Sequence, residues 1–344
     1  AIIAVPLGAA FFLGLLRDEW RLAAYSITLL ALLFVSWVAA QWLWQLSLDP
    51  ARVVEITTAG TPPPFAVVLH LGIAEAASLL LVTLTGLLAA VYLKDTLTRL
   101  GRRAMSVLLV FIMAMCGIIL TRDVFNLFVF FELVVIATAG LVLLSHNKLS
   151  LGSGFKYLMV SQVISVLLLV GIIFSYHVTG SLNIDDMAGS STTLLSTAPL
   201  ALFLMLIAVI VELKPFPANG WALDIYESAH PSFSAILSAA TSTASLFAVD
   251  KILTIVGDEW LPIATAVGIL SFVAANLFAL AQTSDRRLLG YSSVAQIGLI
   301  LAIVGQQDIL GDQYFLIAGG VLLGHAVGKA GLFWLSGLIA ERSL

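Results

Sequence analysis

Charge is scarce in this sequence. Only 10% of its 344 residues are Asp, Glu, Lys or Arg, where soluble domains carry about 25%. With 60% hydrophobic residues and a mean hydropathy of +1.08, the chain is membrane-embedded rather than soluble. Cysteine is nearly absent. Cys116 stands alone in an apolar run, which excludes a disulfide framework and a cysteine-built metal site. Long hydrophilic stretches are missing too, so no segment folds as a separate soluble domain. The sequence shows no phosphate-binding loop, metal-ligand cluster, nucleophile elbow or helically spaced histidine pair for haem. No cofactor, catalytic centre or nucleic-acid partner is therefore expected of this chain itself. The net charge of −4 matters less than where the charges stand.

What the sequence has in abundance is apolar runs. A span needs about 20 apolar residues to cross a core of about 30 Å. Eleven runs qualify: 1–16, 22–46, 71–93, 104–121, 124–144, 156–176, 198–222, 231–249, 261–282, 286–304 and 315–340. The first, AIIAVPLGAAFFLGLL, lacks a basic leader and a clear cleavage site and reads as the end of a span. The expected fold is an all-α integral membrane protein, a bundle of about 11 helices in a lipid bilayer. Basic residues test the count independently. With the N-terminus outside, 11 of them fall inside (Arg17, Arg21, Lys94, Arg99, Arg102, Arg103, Lys148, Lys156, Arg286, Arg287 and Arg342). Only 3, Arg52, Arg122 and Lys251, fall outside, while Lys214 and Lys329 lie within spans. His70, His146, His177 and His230 fall at span ends or in loops, and Asp185 and Asp186 read as a solvated loop.

Three places put charge inside the membrane. The first is Glu132 in NLFVFFELVVIA (126–137), the one ionisable residue between Val124 and Leu144. It lies nine residues past Asp123, about 13 Å into the bilayer at 1.5 Å per residue. An ionisable group there costs about 2.5–3.5 kcal/mol on insertion scales. Either it is a protonated carboxyl acting as structural glue, or it serves a proton or ion relay. The second place is VELKPFPANGW (211–221), where Pro215, Pro217 and Gly220 interrupt an apolar span beside Glu212 and Lys214. Broken helices survive in a bilayer only where protein or water satisfies the freed backbone, and they recur at ion sites. The competing reading is a plain proline kink with Lys214 reaching the inner surface. Residues two apart on a regular helix do not face each other, so each of this pair is expected to find a partner elsewhere. The third is LGHAVGKAGL (323–332), with His325 and Lys329 four apart on one helix face and Gly319, Gly320, Gly324, Gly328 and Gly331 around them. This is either a proton-handling pair or tight packing with one buried hydrogen bond.

These segments resemble the antiporter-like family. That family comprises the three large proton-pumping subunits of respiratory complex I, the A- and D-type subunits of Mrp sodium/proton antiporters, and their equivalents in membrane-bound hydrogenases. TRDVFNLFVFFEL (121–133) resembles the family's glutamate helix, and KYL from Lys156 its "KY" helix start. PANGWALDIYESAHPSFS (217–234) is similar to "PFHxWLPDAxxxAPxPxS", and DRRLLGYSSVAQIG (285–298) to "DxKRLLAYSSxxQxG". HAVGKAGLF (325–333) matches "HAxxKAxLF". The likeness runs in order from about residue 72 to 340.

The resemblance implies two five-helix repeats of inverted topology, each with a broken helix. Here they are assigned to 104–250 and, incompletely, 261–344, after N-terminal helices in 1–103. A faint internal echo, Thr121-Arg-Asp and Thr283-Ser-Asp, opens two spans 162 positions apart. It further implies a subunit of a larger complex, NADH:quinone oxidoreductase-like, hydrogenase-like or a multisubunit antiporter, that carries H+ or Na+ with other membrane subunits as partners. Such a protein belongs in a prokaryotic inner (cytoplasmic) membrane. Glu132, His325 and Lys329 match family positions. Glu212 stands where the family has a lysine, Lys214 lies two residues away, and the next family lysine falls near Ser242 or Thr243. Asn219 replaces a histidine, and the sequence ends before the second broken helix. The alternative these departures support is a scaffold or coupling subunit that no longer pumps.

Overall fold

Lipid cannot hydrogen-bond a backbone, so apolar spans satisfy their amides internally as helices. A computed structural model describes residues 1–61, 66–144 and 148–342, and His146 lies outside the described residues. The helices are α1 (Ala4–Leu15), α2 (Arg21–Leu48), α3 (Ile73–Tyr92), α4 (Lys94–Leu100), α5 (Arg102–Leu120) and α6 (Val124–Leu143). There follow α7 (Lys148–Thr179), α8 (Ile184–Gly189), α9 (Ser191–Thr197), α10 (Pro199–Glu212), α11 (Gly220–Ser228) and α12 (Pro231–Ile236). A wide π turn, Leu237–Thr241, joins α12 to α13 (Ser242–Val256). The chain continues through α14 (Leu261–Ala279), α15 (Asp285–Val304), α16 (Gln307–Leu310) and α17 (Tyr314–Arg342).

Local chemistry sets these limits. Proline occupies the first turn of α10, α12 and α14, where its missing N–H removes no helix bond. Asp123 caps α6 by accepting from the Asn126 amide at 2.7 Å, and Ser284 caps α15 at the Arg287 amide. Gly257 ends α13 at φ 86°, a conformation that a β-carbon disfavours.

The protein is an all-α integral membrane protein. Nine helices among the described residues are long and apolar enough to span, or ten with α9 and α10 taken as one span bent by 107°. Helix α1, of 12 residues, is too short to be counted among them, which leaves the expected eleven runs with nine or ten spans. The α12–α13 span is central, with 94% of its apolar window buried inside the protein, whereas α17 is peripheral at 22%.

Packing in places reaches backbone contact. A β-carbon added to Gly268 of α14 would lie 2.6 Å from the Gly298 carbonyl of α15, and one on Gly298 would lie 2.7 Å from the Phe272 amide nitrogen. Only glycine permits that approach.

Two ends of the bundle differ in construction. At one end lies a small antiparallel hairpin that the apolar reading of 71–93 does not anticipate: β1 (Val54–Thr57) and β2 (Val68–Leu71), pairing Val54 with Leu71. Arg122 donates its amide to the Val68 carbonyl, and the Ile184 amide donates to the Arg122 carbonyl. Arg122 also grips Asp185 through two bonds, while Asp186 accepts from Ser181 at 2.7 Å. Asp185 and Asp186 are exposed, as a solvated reading expects, but they stand in the first turn of α8 rather than in a loop. At the other end Arg102 binds Asp18, Lys156 binds Asp224, and Arg287 binds both Asp224 and Glu227.

Candidate functional site at the broken helix

Helix α10 stops at Glu212, deep within the bundle. Lys214 follows at φ 62°, the left-handed region, and the chain then runs through Pro215 and Pro217 before α11 starts at Gly220. The freed backbone finds partners as a lipid setting demands: the Lys214 amide donates to the Val211 carbonyl at 2.9 Å, and the Phe216 amide donates to Ser271 Oγ of α14 at 3.1 Å.

Glu212 is 3% exposed and Lys214 6%. The reading that Lys214 reaches the inner surface therefore does not hold. No ion pair within 4.0 Å joins the two among the described residues, and the separate partner expected for Lys214 is not found there either, since its Nζ makes no hydrogen bond. Both line one cavity of about 10 Å³ together with Thr138, Tyr157, Trp221, Tyr226 and Thr241. Glu212 lines a second cavity of about 10 Å³ on its other side, among Phe131, Val135 and Ser165. Their charges interact, and Glu212 feels Glu132 as well.

Glu132 is half-buried on α6. Its nearest polar partner is an amide rather than a lysine: Gln162 Nε2 of α7 donates to Glu132 Oε2 at 3.2 Å. No ion pair within 4.0 Å joins Glu132, Glu212, Lys214, His325 or Lys329 to any partner among the described residues.

His325 and Lys329 share the buried face of α17. His325 Nε2 bonds the Ser238 carbonyl at the π turn, 3.1 Å away, and Nδ1 pairs with the Gln296 amide of α15 at 2.9 Å. Lys329 Nζ donates to Ser292 Oγ at 2.5 Å. Ser238 Oγ meets Ser293 Oγ at 2.8 Å. The five candidate residues thus stand on α6, the α10–α11 break and α17. The first three cluster, and the last two are tied to α15 through Ser292 and Gln296, with His325 also reaching the Ser238 carbonyl of the central span.

One residue here carries no signal in the sequence: Gln162 is neutral, and apolar surroundings alone do not flag it, whereas Ser292 and Gln296 fall within the matched 285–298 segment without being marked as partners of α17. Lys251 falls in an outside loop only if the apolar run ends at residue 249. In fact α13 continues to Val256, and Lys251 is buried, donating to the Ile118 and Ile119 carbonyls of α5 at 2.6 Å each. It covers the carbonyls that a helix end leaves unpaired. The signal is there in form: a lysine between apolar residues on both sides. A larger cleft of about 520 Å³ between α3, α13 and α17 is apolar apart from Ser78, Asp250 and Tyr314, and it contains none of the five candidates.

A transmembrane bundle with a broken helix and a glutamate and a lysine buried at the break defines a class of membrane protein. A family profile described as "NADH:quinone oxidoreductase/Mrp antiporter, TM" matches residues 121–343. The chain belongs to this family. NADH-quinone oxidoreductase subunit N of Desulforudis audaxviator (strain MP104C) is 30% identical over 292 residues, covering 81% of this chain and 57% of the relative. A D-type Na(+)/H(+) antiporter subunit of Alkalihalophilus pseudofirmus is 29% identical over 231 residues, 64% of this chain and 45% of that protein. The chain spans about half the length of the curated relatives it matches. Among solved structures, a chain of the membrane-bound sulfane sulfur reductase, an archaeal respiratory membrane complex, superposes with a TM-score of 0.89 at 26% identity, covering 98% of this chain and 70% of that one. A chain of the Mrp complex from Dietzia sp. DQ12-45-1b gives 0.88 at 26% identity, over 98% and 63%.

Proposed function

We propose that this antiporter-like membrane subunit translocates H+ or Na+ within a larger redox-driven or multisubunit antiporter complex. Its ions move along Glu132, Glu212, Lys214, His325 and Lys329. The observation that carries this reading is the broken helix, where a carboxylate and an ammonium are buried around water-sized cavities without a direct ion pair. Charges held that way are costly as mere structure. They are what a path needs if each group is to take up and release an ion. Energy for uphill transport comes from partner subunits or an opposing gradient. We also assign residues 104–250 and 261–344 to two inverted repeats after helices in 1–103, the hairpin end to the outside with the N-terminus, and the protein to a prokaryotic inner membrane.

One observation favours the second reading, a coupling subunit that does not pump. The central α12–α13 span carries hydroxyls from Ser238 to Ser245 and no charge there. Ion uptake by sealed membrane vesicles carrying the assembled complex separates the two. In the pumping reading, Glu132→Gln abolishes ion-coupled activity while the complex still assembles. Wild-type pumping by that variant leaves the scaffold reading in place.

A further inference from the structure

Basic residues form two groups at the end of the bundle away from the hairpin, and the two are built differently. In one, each cation is engaged. Lys156 pairs with Asp224, Arg287 pairs with Asp224 and Glu227, and Arg286 donates to the Glu227 and Ala229 carbonyls. The other group gathers from the turn between α1 and α2, the start of α2, the short helix α4 and the start of α5. It sets six basic residues (Arg17, Arg21, Lys94, Arg99, Arg102 and Arg103) against three acidic ones (Asp18, Glu19 and Asp95).

Arg102 holds this second group together. Its Nε donates to Asp18 Oδ1 at 2.6 Å and its Nη1 to the Gly14 carbonyl at 2.5 Å. Arg21 Nη1 donates to the Arg99 carbonyl at 3.2 Å, which ties α2 to α4 through a backbone group and leaves both guanidinium charges unanswered. Arg103 and Arg21 stand near enough to Asp18 that their charges add to the effect of Arg102 in holding its carboxyl below the usual range. The five remaining cations are exposed, as are Glu19 and Asp95, and none of these seven makes an ion pair within 4.0 Å among the described residues. Basic residues that only set orientation need to be on the right side of the membrane. That role does not account for one group being paired and the other left open. Beside the open group, Leu15, Trp20 and Leu22 are exposed. A tryptophan among leucines and arginines marks the headgroup level of a bilayer.

We infer that Arg21, Arg99 and Arg103, with Arg17 and Lys94 beside them, bind the phosphate of an anionic phospholipid, with Trp20 at the level of the headgroup. Guanidinium groups suit this ligand because their planar fork meets two phosphate oxygens at once. Clusters of about four to eight basic residues at the end of a membrane helix hold anionic lipid. The exposed leucines give acyl chains a surface to lie on, which an acidic protein segment in water has no need of. The site stands whether or not the chain moves ions.

The test follows thermal unfolding of the full chain in neutral detergent micelles as phosphatidylglycerol or phosphatidylcholine with the same acyl chains is added. A lipid that binds the folded protein raises its midpoint with concentration. Phosphatidylglycerol does so, phosphatidylcholine does not, and salt at about 1 M, where the Debye length is about 3 Å, removes most of the rise. Changing Arg21, Arg99 and Arg103 together to Gln raises the phosphatidylglycerol concentration needed by about tenfold or more, each residue contributing several-fold. Changing the same three to Lys keeps most of the response, and Arg52→Gln, at the hairpin end, keeps all of it. The comparison of lipids and salt on the wild type serves if the glutamine variant fails to fold. An equal response to both lipids, a response that salt leaves intact, or a glutamine variant that responds as the wild type does overturns the site. An equal rise with inorganic phosphate alone overturns the headgroup in favour of a free anion.

Discussion

Gly298→Ala tests the packing of α14 against α15 with one methyl group. The new β-carbon would stand 2.7 Å from the Phe272 amide nitrogen and 2.8 Å from the Gly268 carbonyl oxygen. Ordinary contacts there begin near 3.4 Å, so the helices must part by more than half an ångström. Neither obstacle is a flexible side-chain end, and neither can step aside. Overpacking of this kind costs about 1–3 kcal/mol. Against it stands the gain of alanine over glycine in a helix, about 0.5–1 kcal/mol. The net expectation is a loss of roughly 1–2 kcal/mol. Gly152→Ala on α7 supplies the control, since a β-carbon there meets nothing within 4 Å. It collects only the helix gain and stabilises by about 0.5–1 kcal/mol. Equilibrium unfolding of the purified protein in mixed micelles reads both. If Gly298→Ala matches Gly152→Ala in sign, the backbone-contact argument fails.

Three further outcomes follow from the geometry. Glu212→Gln and Lys214→Met share a cavity and a field, so a double-mutant cycle on ion transport departs from additivity by at least about 0.5 kcal/mol; simple additivity reduces the break to a kink. Lys251→Met strands the Ile118 and Ile119 carbonyls and destabilises the protein by about 1–3 kcal/mol per carbonyl, and an unchanged unfolding midpoint contradicts the clamp. His230, just ahead of the α12 span, has its pKa pushed down to about 4, first by burial and then by the charges of Arg286 and Arg99. A histidine that resists protonation only when folded loses stability as pH falls from its unfolded value near 6.5 toward 4. Its Nδ1 accepts from the Ser232 amide and has no proton to spare in that state. Stability therefore declines across pH 6.5 to 4, and His230→Asn flattens that slope.

The membrane class, the spans and the broken helix are legible in the sequence because each rests on a pattern that hydropathy or proline reports directly. Glu212 and Lys214 are legible as charges but not as neighbours, since sequence spacing assumes a helix and Lys214 sits at φ 62°. The partner of Glu132 is harder to foresee. A buried carboxylate suggests a cation, and the fold supplies the amide of Gln162, 30 residues on. Thr241 is hidden by the π turn. One extra residue in a helical turn rotates everything after it, so Ser242 and Thr243, where the family resemblance expects a lysine, are not the hydroxyl facing Lys214. The hairpin at 54–71 escapes notice because Val68–Leu71 reads as the head of the following apolar run. Lys251 escapes for the opposite reason, a span ended too early.

The glycine contacts between α14 and α15 also bear on how the protein is made. Two helices joined by a connection as short as Leu280–Ser284 and able to touch through their backbones leave the insertion machinery as neighbours. They can zip together before the rest of the bundle exists. Such a hairpin is expected to enter the bilayer as one preassembled piece. The segment bearing Ser292, Ser293 and Gln296 is then fixed against α14 before α17 arrives. His325 and Lys329 meet partners already in place. A ribosome-bound fragment ending just after α15 is the place to look for that early pairing.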